Sequence, residues 1–186
     1  MLALTFGGRM PLRAILQPKL NGVRCLANSG GLWTRNLLRI AGHDHIAAAL
    51  APVFAEHPGL VLDGELYNHG LRHDLPRTLS LYQKPSAATP LALHVFDIAS
   101  LHGRRFAERH ERLAAIVPGT AGAVYAVPTV EVKSRHEADC LYDGWIGEGF
   151  EGAMIRDADS LYAGGRSPGL LKRKPSYDAG DMRRAA

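Results

Sequence analysis

Two short apolar runs constrain the fold of this chain most. They span Leu60–Tyr67 and Leu91–Ile98, and each is much shorter than the roughly 20 residues of a membrane-spanning helix. Apolar runs of this length are most simply buried strands. The segments Arg13–Gln17 and Val23–Asn28 also predict strands. Further strands are expected at Leu32–Thr34, Glu151–Arg156 and Gly169–Lys174.

The clearest helix signal begins at Ser134. Ser134 and Glu137 have the spacing of a capping box, in which each residue satisfies a free backbone N–H at the start of a helix. An apolar face with helical spacing follows, made of Ala138, Leu141, Tyr142 and Trp145. Gly147 and Gly149 are expected to end this helix.

Two weaker helix signals complete the pattern. One covers Glu108–Val117, and the other lies around His45–Leu50, where Pro52 should break or restart the helix. Strands and helices therefore interleave without the strict βαβ spacing of a parallel sheet. The sequence predicts an α+β fold with mostly antiparallel sheets.

Length and charge narrow the possibilities further. At 186 residues the chain is expected to form one domain with its own core. Cys25 and Cys140 lie far apart without a Cys-x-x-Cys motif, so neither a zinc site nor a disulfide framework is indicated. The net charge of +4 and pI near 9.3 mildly favour an acidic partner, but on charge alone a basic solvated surface is the better explanation. No signal peptide or membrane span is expected, and the cytoplasm is the default location.

Charged residues form short clusters whose order along the chain is informative. They are Lys19–Arg24, Asp63–Glu65, Phe96–Asp97, Glu151–Gly152 and Lys172–Lys174. A lysine nucleophile must lose its proton, which burial and neighbouring cations favour, and Lys172 and Lys174 could supply those cations. Because side chains alternate along a strand, Asp63 and Glu65 should face one side. Two carboxylates on one face need a cation or a metal as partner.

Each cluster alone has an ordinary explanation, such as a surface lysine, a turn or a core aromatic residue. Their order, however, resembles the covalent nucleotidyltransferases, and most closely the phage-type ATP-dependent DNA ligases. That family carries Lys-x-Asp-Gly-x-Arg, and Lys19–Arg24 of this chain matches it except at Asn21. The similarity continues through Leu62–Tyr67, His94–Asp97, Glu151–Arg156, Tyr162–Ser167 and Leu170–Pro175. It covers the chain from about Gln17 to Asp178.

The resemblance implies an ATP-grasp-like fold with two sheets and a nucleotide cleft between them. It also implies a lysyl-AMP intermediate on Lys19, formed from ATP with Mg²⁺ (or Mn²⁺), and the sealing of nicked duplex DNA. Phe96 would stack on adenine, with Asp97 supporting the pocket. The residues implied to bind ATP are Gln17, Arg24, Glu65, Phe96, Glu151, Lys172 and Lys174. Glu65 and Glu151 would also hold the metal, and Arg35, Asn21 and Arg166 would contact nucleic acid.

Two departures from the family pattern modify these expectations. Asn21 stands where the family has Asp, so this position brings no charge for a metal or a general-base role. The adenylation domain is expected to cover 1–178, with the start of a linker at 179–186 and no OB-fold domain after it. Slow AMP loading and weak nick binding are therefore expected, and a separate domain or protein could supply the missing function. The protein is expected to be a monomer.

Three other functions stay open on the sequence alone. An RNA ligase or an RNA-capping nucleotidyltransferase would use the same lysine chemistry. A non-catalytic nucleic-acid-binding relative of the ligases is the third alternative, and Asn21 favours it. The retained residues Lys19, Glu65, Glu151, Lys172 and Lys174 favour an enzyme.

Overall fold

A computed structural model describes residues 1–88, 90–117 and 122–175. In chain order the strands are β1 Leu2–Thr5, β2 Ala14–Lys19, β3 Val23–Asn28, β4 Gly31–Trp33, β5 Arg39–Ile40, β6 Leu62–Tyr67, β7 Ala92–Ile98, β8 Val124–Ala126, β9 Val130–Val132, β10 Gly152–Asp157 and β11 Arg166–Arg173. The helices are α1 Asp44–Glu56, α2 Leu75–Gln83, α3 Phe106–Ile116 and α4 Arg135–Gly147, and short 3₁₀ turns cover His69–Leu71 and Ala99–Leu101. The tail predicted at 179–186 lies outside the described residues. No helix in the described ranges is long and apolar enough to cross a membrane.

Within the described residues the strands form two sheets. The first sheet has the order β1-β11-β10-β2-β9, and the second has the order β5-β4-β3-β6-β7-β8. Neighbouring strands are antiparallel except for the pairs β1–β11 and β7–β8, which are parallel. The prediction of an α+β fold with two mostly antiparallel sheets is therefore confirmed.

Each sheet buries one face against helices. In the second sheet, Leu62, Leu66 and Val95 pack against α1 and α3 in the larger apolar core. In the first sheet, Leu16 and Ile155 pack against α4, whose buried face is Ala138, Tyr142 and Trp145. These helices cover the outer faces, so the inner faces of the two sheets are left to form the cleft.

The chain passes between the two sheets at residues 20–22 and again at 127–129 in its described part. The first crossing directly follows Lys19, the last residue of β2. Leu20 from the first crossing and Val127 from the second share a small apolar cluster with the buried ring of Tyr67. The connections between the sheets therefore meet at one place, beside the lysine.

Helix α1 contradicts one expectation from the sequence, because it continues through Pro52 to Glu56. A proline inside a helix removes one backbone hydrogen bond and costs about 3 kcal/mol. Pro52 itself is exposed, so water can solvate the carbonyl group that loses its partner. Ile46, Leu50 and Phe54 are buried at i, i+4 and i+8, on both sides of the proline. Burial of this stripe outweighs the local cost.

Some of the other predicted strands and helices are confirmed, and several observed elements have no counterpart among the predictions. Strand β3 has the predicted bounds, and α4 begins as expected, with the Ser134 hydroxyl accepting from the Glu137 N–H at 3.1 Å. The sequence pattern does not predict the short strands β1, β5, β8 and β9, many of whose residues are exposed. It also missed α2, although Asp74 caps this helix by accepting from the Arg77 N–H at 2.9 Å. The Asp-Leu-Pro signal at 74–76 was readable as a helix start.

Candidate active site

A cleft of about 350 Å³ separates the inner faces of the two sheets. Many of the residues predicted from the sequence line it, namely Gln17, Lys19, Arg24, Arg35, Glu65, Phe96, Arg166 and Lys172. Asn21, Glu151 and Lys174 lie beside it rather than among the described lining residues. Residues from positions 17 to 172 thus converge because β2, β6, β7 and β11 all present side chains to the same space.

Lys19 forms an ion pair with Glu151, which directly precedes β10. The Lys19 ammonium donates to Oε2 of Glu151, and the Lys174 ammonium pairs with Oε1 of the same carboxylate. Burial works to raise the pKa of Glu151, but the two lysine contacts outweigh it and hold the pKa below its usual range. Glu151 therefore brings together two lysines from opposite ends of the chain, beside the cleft.

Gly152 makes this convergence possible. Its φ of +150° lies in a region that L side chains rarely adopt, and a Cβ there would lie 2.0 Å from the Arg173 carbonyl oxygen. Only glycine lets the start of β10 approach the end of β11 this closely. The approach brings Lys174, just after β11, to Glu151.

Lys172 and Arg173 face opposite sides of β11, as strand alternation predicts. Lys172 lines the cleft. Arg173 points to α4, where its guanidinium lies 3.9 Å from the centre of the Tyr142 ring and donates to Asp139. The end of β11 is thus attached to the outer helix while it presents a lysine inward.

Glu65 is a partly buried carboxyl group on the wall formed by β6. Its Oε1 accepts the Gly22 N–H at 2.8 Å. Burial raises the pKa of Glu65 to about 7, and the nearby charge of Glu151 adds to the increase. Asp63 and Glu65 both line the cleft, so they face one side as predicted.

Arg24 is held in place by Asp63 rather than free in the cleft. Its Nε donates to Oδ1 of Asp63 at 2.9 Å and its Nη2 donates to Oδ2 at 2.6 Å. The Tyr162 hydroxyl donates to the same Oδ2 at 2.8 Å, and burial raises the pKa of that hydroxyl. The Arg24 guanidinium lies 6.0 Å from the centre of the Phe96 ring. A fully buried carboxylate therefore positions a cation beside the aromatic wall.

A buried ionic network lies behind Phe96 and joins both sheets. Asp97 on β7 accepts from Nε of Arg109 at 2.7 Å and from Nη1 of Arg156 at 2.9 Å. Arg156 on β10 also donates to Oε1 of Gln17 at 2.7 Å, and Gln17 donates to the Phe96 carbonyl oxygen at 3.2 Å. Burial alone would raise the pKa of Asp97, but the two guanidinium groups hold it below its usual range.

The sequence patterns assign Arg109, Arg156 and Tyr162 no role in the site. For Arg109 a signal existed, because it lies four residues before Leu113 and therefore on the predicted apolar face of its helix. A charged residue at such a position needs a buried partner. The partner, Asp97, lies on another element, and the sequence does not identify it.

The residues predicted to contact nucleic acid lie at different depths. Arg35 is on the turn between β4 and β5, Arg166 is the first residue of β11, and both are exposed cations at the cleft. Asn21 instead donates from Nδ2 to the Arg72 carbonyl oxygen at 3.2 Å. An aspartate could not make this bond. The cleft as a whole presents a lysine among several cations, which suits a polyanionic ligand.

The chain is similar in sequence to known proteins. The family described as "ATP dependent DNA ligase domain" matches residues 8–174. The DNA ligase of African swine fever virus (isolate Tick/Malawi/Lil 20-1/1983) is 31% identical over 179 residues, which cover 89% of this chain and 42% of that ligase. A probable DNA ligase of Pseudarthrobacter chlorophenolicus is 32% identical over 184 residues, covering 89% and 34%. The chain thus spans less than half the length of these relatives.

Solved structures show the same fold at lower identity. The Chlorella virus DNA ligase-adenylate aligns with a TM-score of 0.74 at 23% identity, over 93% of this chain and 67% of that one. A Lig E DNA ligase aligns with a TM-score of 0.73 at 24% identity, over 94% and 68%. The ATP-dependent DNA ligase of bacteriophage T7, in complex with ATP, aligns with a TM-score of 0.68 at 19% identity, over 94% and 68%.

Proposed function

The chain belongs to the family of ATP-dependent DNA ligase domains, and from that premise we propose that it adenylates itself on Lys19 and seals nicked duplex DNA. The position of Lys19 carries the proposal. Its ammonium lines a cation-rich cleft and is held by a carboxylate that also binds Lys174. A lysine placed in this way can reach a phosphate bound among the same cations.

The first step is attack of Nζ of Lys19 on the α-phosphorus of ATP. The Lys19 ammonium first releases one proton to solvent, and the resulting amine forms the N–P bond while the P–O bond to pyrophosphate breaks. A second proton then passes from Nζ to solvent. In the ion pair with Glu151 the lysine is protonated, so Lys19 must leave this pair before it can attack. Lys174 then remains as the partner of Glu151, so the partly buried carboxylate keeps one cation. Lys172, which lines the cleft, would bind the α-phosphate.

The walls of the cleft suit the rest of the nucleotide. Phe96 offers an apolar ring for adenine, flanked by Arg24 and by the buried amide of Gln17. Glu65 offers a carboxyl oxygen to a ribose hydroxyl. Because its pKa is about 7, Glu65 can accept or donate that hydrogen bond near neutral pH.

Glu65 and Glu151 also fit a divalent cation that is held mainly by the phosphates. They are close enough for the charge of Glu151 to raise the pKa of Glu65, and a carboxylate pair of this kind favours a cation. Mg²⁺ is commonly bound by one or two carboxylates together with substrate phosphates. A bound Mg²⁺ or Mn²⁺ would neutralise phosphate charge.

The later steps join AMP to the nick. AMP would pass from Lys19 to the 5′-phosphate, and the 3′-hydroxyl would then displace it. Arg35 and Arg166 at the mouth of the cleft are the proposed phosphate contacts. We also propose that the protein is a monomer in the cytoplasm, where ATP and DNA are available. Clamping of the DNA would come from a further domain or a partner protein.

Intact mass after incubation with ATP and Mg²⁺ tests this proposal. We expect the wild-type chain to gain one AMP and Lys19→Arg to gain none, because arginine keeps the ion pair with Glu151 but is not a nucleophile. Lys133→Ala, which removes an exposed lysine elsewhere, should load as the wild type does.

Other outcomes would point elsewhere. A gain with GTP instead of ATP would indicate a capping-type enzyme. Failure of the wild type to gain AMP, together with failure to seal a pre-adenylated nick, would contradict the ligase function. Sealing of nicked RNA in preference to nicked DNA would favour an RNA ligase.

A further inference from the structure

The turn between β4 and β5 is a rigid, apolar-tipped loop at the edge of the cleft. The Thr34 N–H donates to the Leu38 carbonyl oxygen at 2.8 Å, and the Leu37 N–H donates to the Thr34 carbonyl oxygen at 2.9 Å. The Thr34 hydroxyl oxygen accepts the Leu38 N–H at 3.1 Å. These bonds fix the conformation of the loop before any partner binds.

Leu37 and Leu38 are unusual residues for this place. Leu37 has a φ of +60° and is the one non-glycine residue with a positive φ in the described part of the chain. Glycine or asparagine would adopt this conformation with less strain than leucine. Leu37 is 70% exposed and Leu38 is 66% exposed, so burial within the fold does not offset the strain. Strain and apolar exposure at one loop tip are typical of a binding surface.

The charges around these leucines identify the kind of partner. Arg35, two residues before Leu37, lines the cleft, and the exposed Arg39 begins β5 on the other side. A partner that reaches the leucines from the cleft must therefore be anionic and must also carry apolar surface. A nucleic-acid backbone has both, because its phosphates alternate with sugar rings whose C–H groups are apolar.

We propose that Leu37 and Leu38 pack against sugar rings of the nicked duplex, next to the phosphate that Arg35 contacts. This inference rests on the proposed function, since it takes nicked DNA as the substrate. The apolar tip adds affinity that does not depend on charge, while Arg35 supplies the charged part. The fixed loop presents both to the duplex without a further ordering cost.

Leu37→Asn tests the proposal, with Leu12→Asn as its matched control. Asparagine tolerates the left-handed conformation and removes the apolar surface, so the variant keeps the loop and loses the contact. Leu12 is fully exposed and lies just before β2, at the end of that strand far from Lys19. Leu38→Ala is a second variant that leaves the strained residue untouched. The readout is the Kd for a nicked duplex without ATP, measured over a series of salt concentrations.

We expect Leu37→Asn and Leu38→Ala to raise the Kd about five- to tenfold at every salt concentration, because about one apolar side chain is lost from the interface. The slope of log Kd against log salt should stay that of the wild type. Arg35→Ala, by contrast, should reduce the slope by about one, as expected for loss of one phosphate contact. Leu12→Asn should bind as the wild type does, and the Tm of Leu37→Asn should be no lower than that of the wild type.

Three results would overturn the proposal. The first is an unchanged Kd for the two tip variants, or an equal loss of affinity in Leu12→Asn. The second is a reduced salt slope in Leu37→Asn, which would mean that the leucine only positions Arg35. The third is absence of nick binding by the wild type. AMP loading is measured separately, so failure of the proposed function is distinguishable from failure of this inference.

Discussion

At the scale of single residues, the site depends on carboxylates whose surroundings differ sharply. Glu151 is held by two lysines and has a lowered pKa, whereas the more enclosed Glu65 has a raised one. The same residue type thus provides a carboxylate with a lowered pKa beside the cleft and a carboxyl group with a pKa of about 7 on its wall. The sequence pattern singles out both glutamates as candidates, but the difference between their pKa values arises from partners that only the folded chain brings together.

The raised pKa of Glu65 predicts a pH-dependent stability. Between its ordinary value of 4.5 and about 7, the folded state binds more protons at Glu65 than the unfolded state does. Stability should therefore fall as the pH rises through this window, by about 1–3 kcal/mol. Glu65→Gln keeps the acceptor for the Gly22 N–H and cannot titrate. Urea unfolding of the wild type and of Glu65→Gln at a series of pH values measures how the free energy of unfolding of each protein depends on pH. If Glu65 titrates normally, the two proteins should show the same pH dependence across this window.

At the scale of secondary-structure elements, tertiary contacts decide what local sequence does not. The strand β3 and the start of α4 were predictable because the polar and apolar patterns are regular there. The break at Pro52 was predicted wrongly, since buried residues on both sides stabilise the helix through it. The short strands β1, β8 and β9 carry little pattern of their own, and they form because a neighbouring strand offers an edge.

The attachment of β11 to α4 predicts a role for Arg173. Its contacts with Tyr142 and Asp139 fix the end of the strand that carries Lys172 inward. We expect Arg173→Ala to slow AMP loading severalfold while lowering stability by only about 1 kcal/mol. Arg135→Ala is the matched control, because Arg135 also pairs with Asp139 but lies on α4. Single-turnover loading rates measure the effect, and equal slowing in both variants would contradict it.

At the scale of the whole molecule, the buried network around Asp97 connects the two sheets. Asp97 on β7 forms one ion pair with Arg156 on β10 and a second with Arg109 of α3. The sequence suggested that Asp97 supports the pocket but could not identify these partners, which lie 12 and 59 residues away. Long-range pairing of this kind depends on the fold, and single-sequence patterns do not contain it.

Removal of the Asp97 charge should destabilise both sheets together. Asp97→Asn leaves two buried guanidinium groups without their anion, and we expect a loss of about 3–5 kcal/mol. Asp159→Asn, which affects ion pairs that are largely exposed, should cost less than about 1 kcal/mol. Chemical denaturation followed by fluorescence and by circular dichroism measures both. A cost for Asp97→Asn similar to that for Asp159→Asn would show that the network contributes little.

The two crossings between the sheets have a mechanical consequence. Both meet at the apolar cluster of Leu20, Val127 and Tyr67, directly beside Lys19. A rotation of one sheet against the other about this cluster would also have to break the ion pair between Asp97 and Arg156. Displacement grows with distance from a pivot, so Arg35 and Arg166 at the mouth of the cleft would travel far while the lysine barely moved. Lys19 could therefore keep its position while the side chains at the edge of the cleft moved apart and came together again.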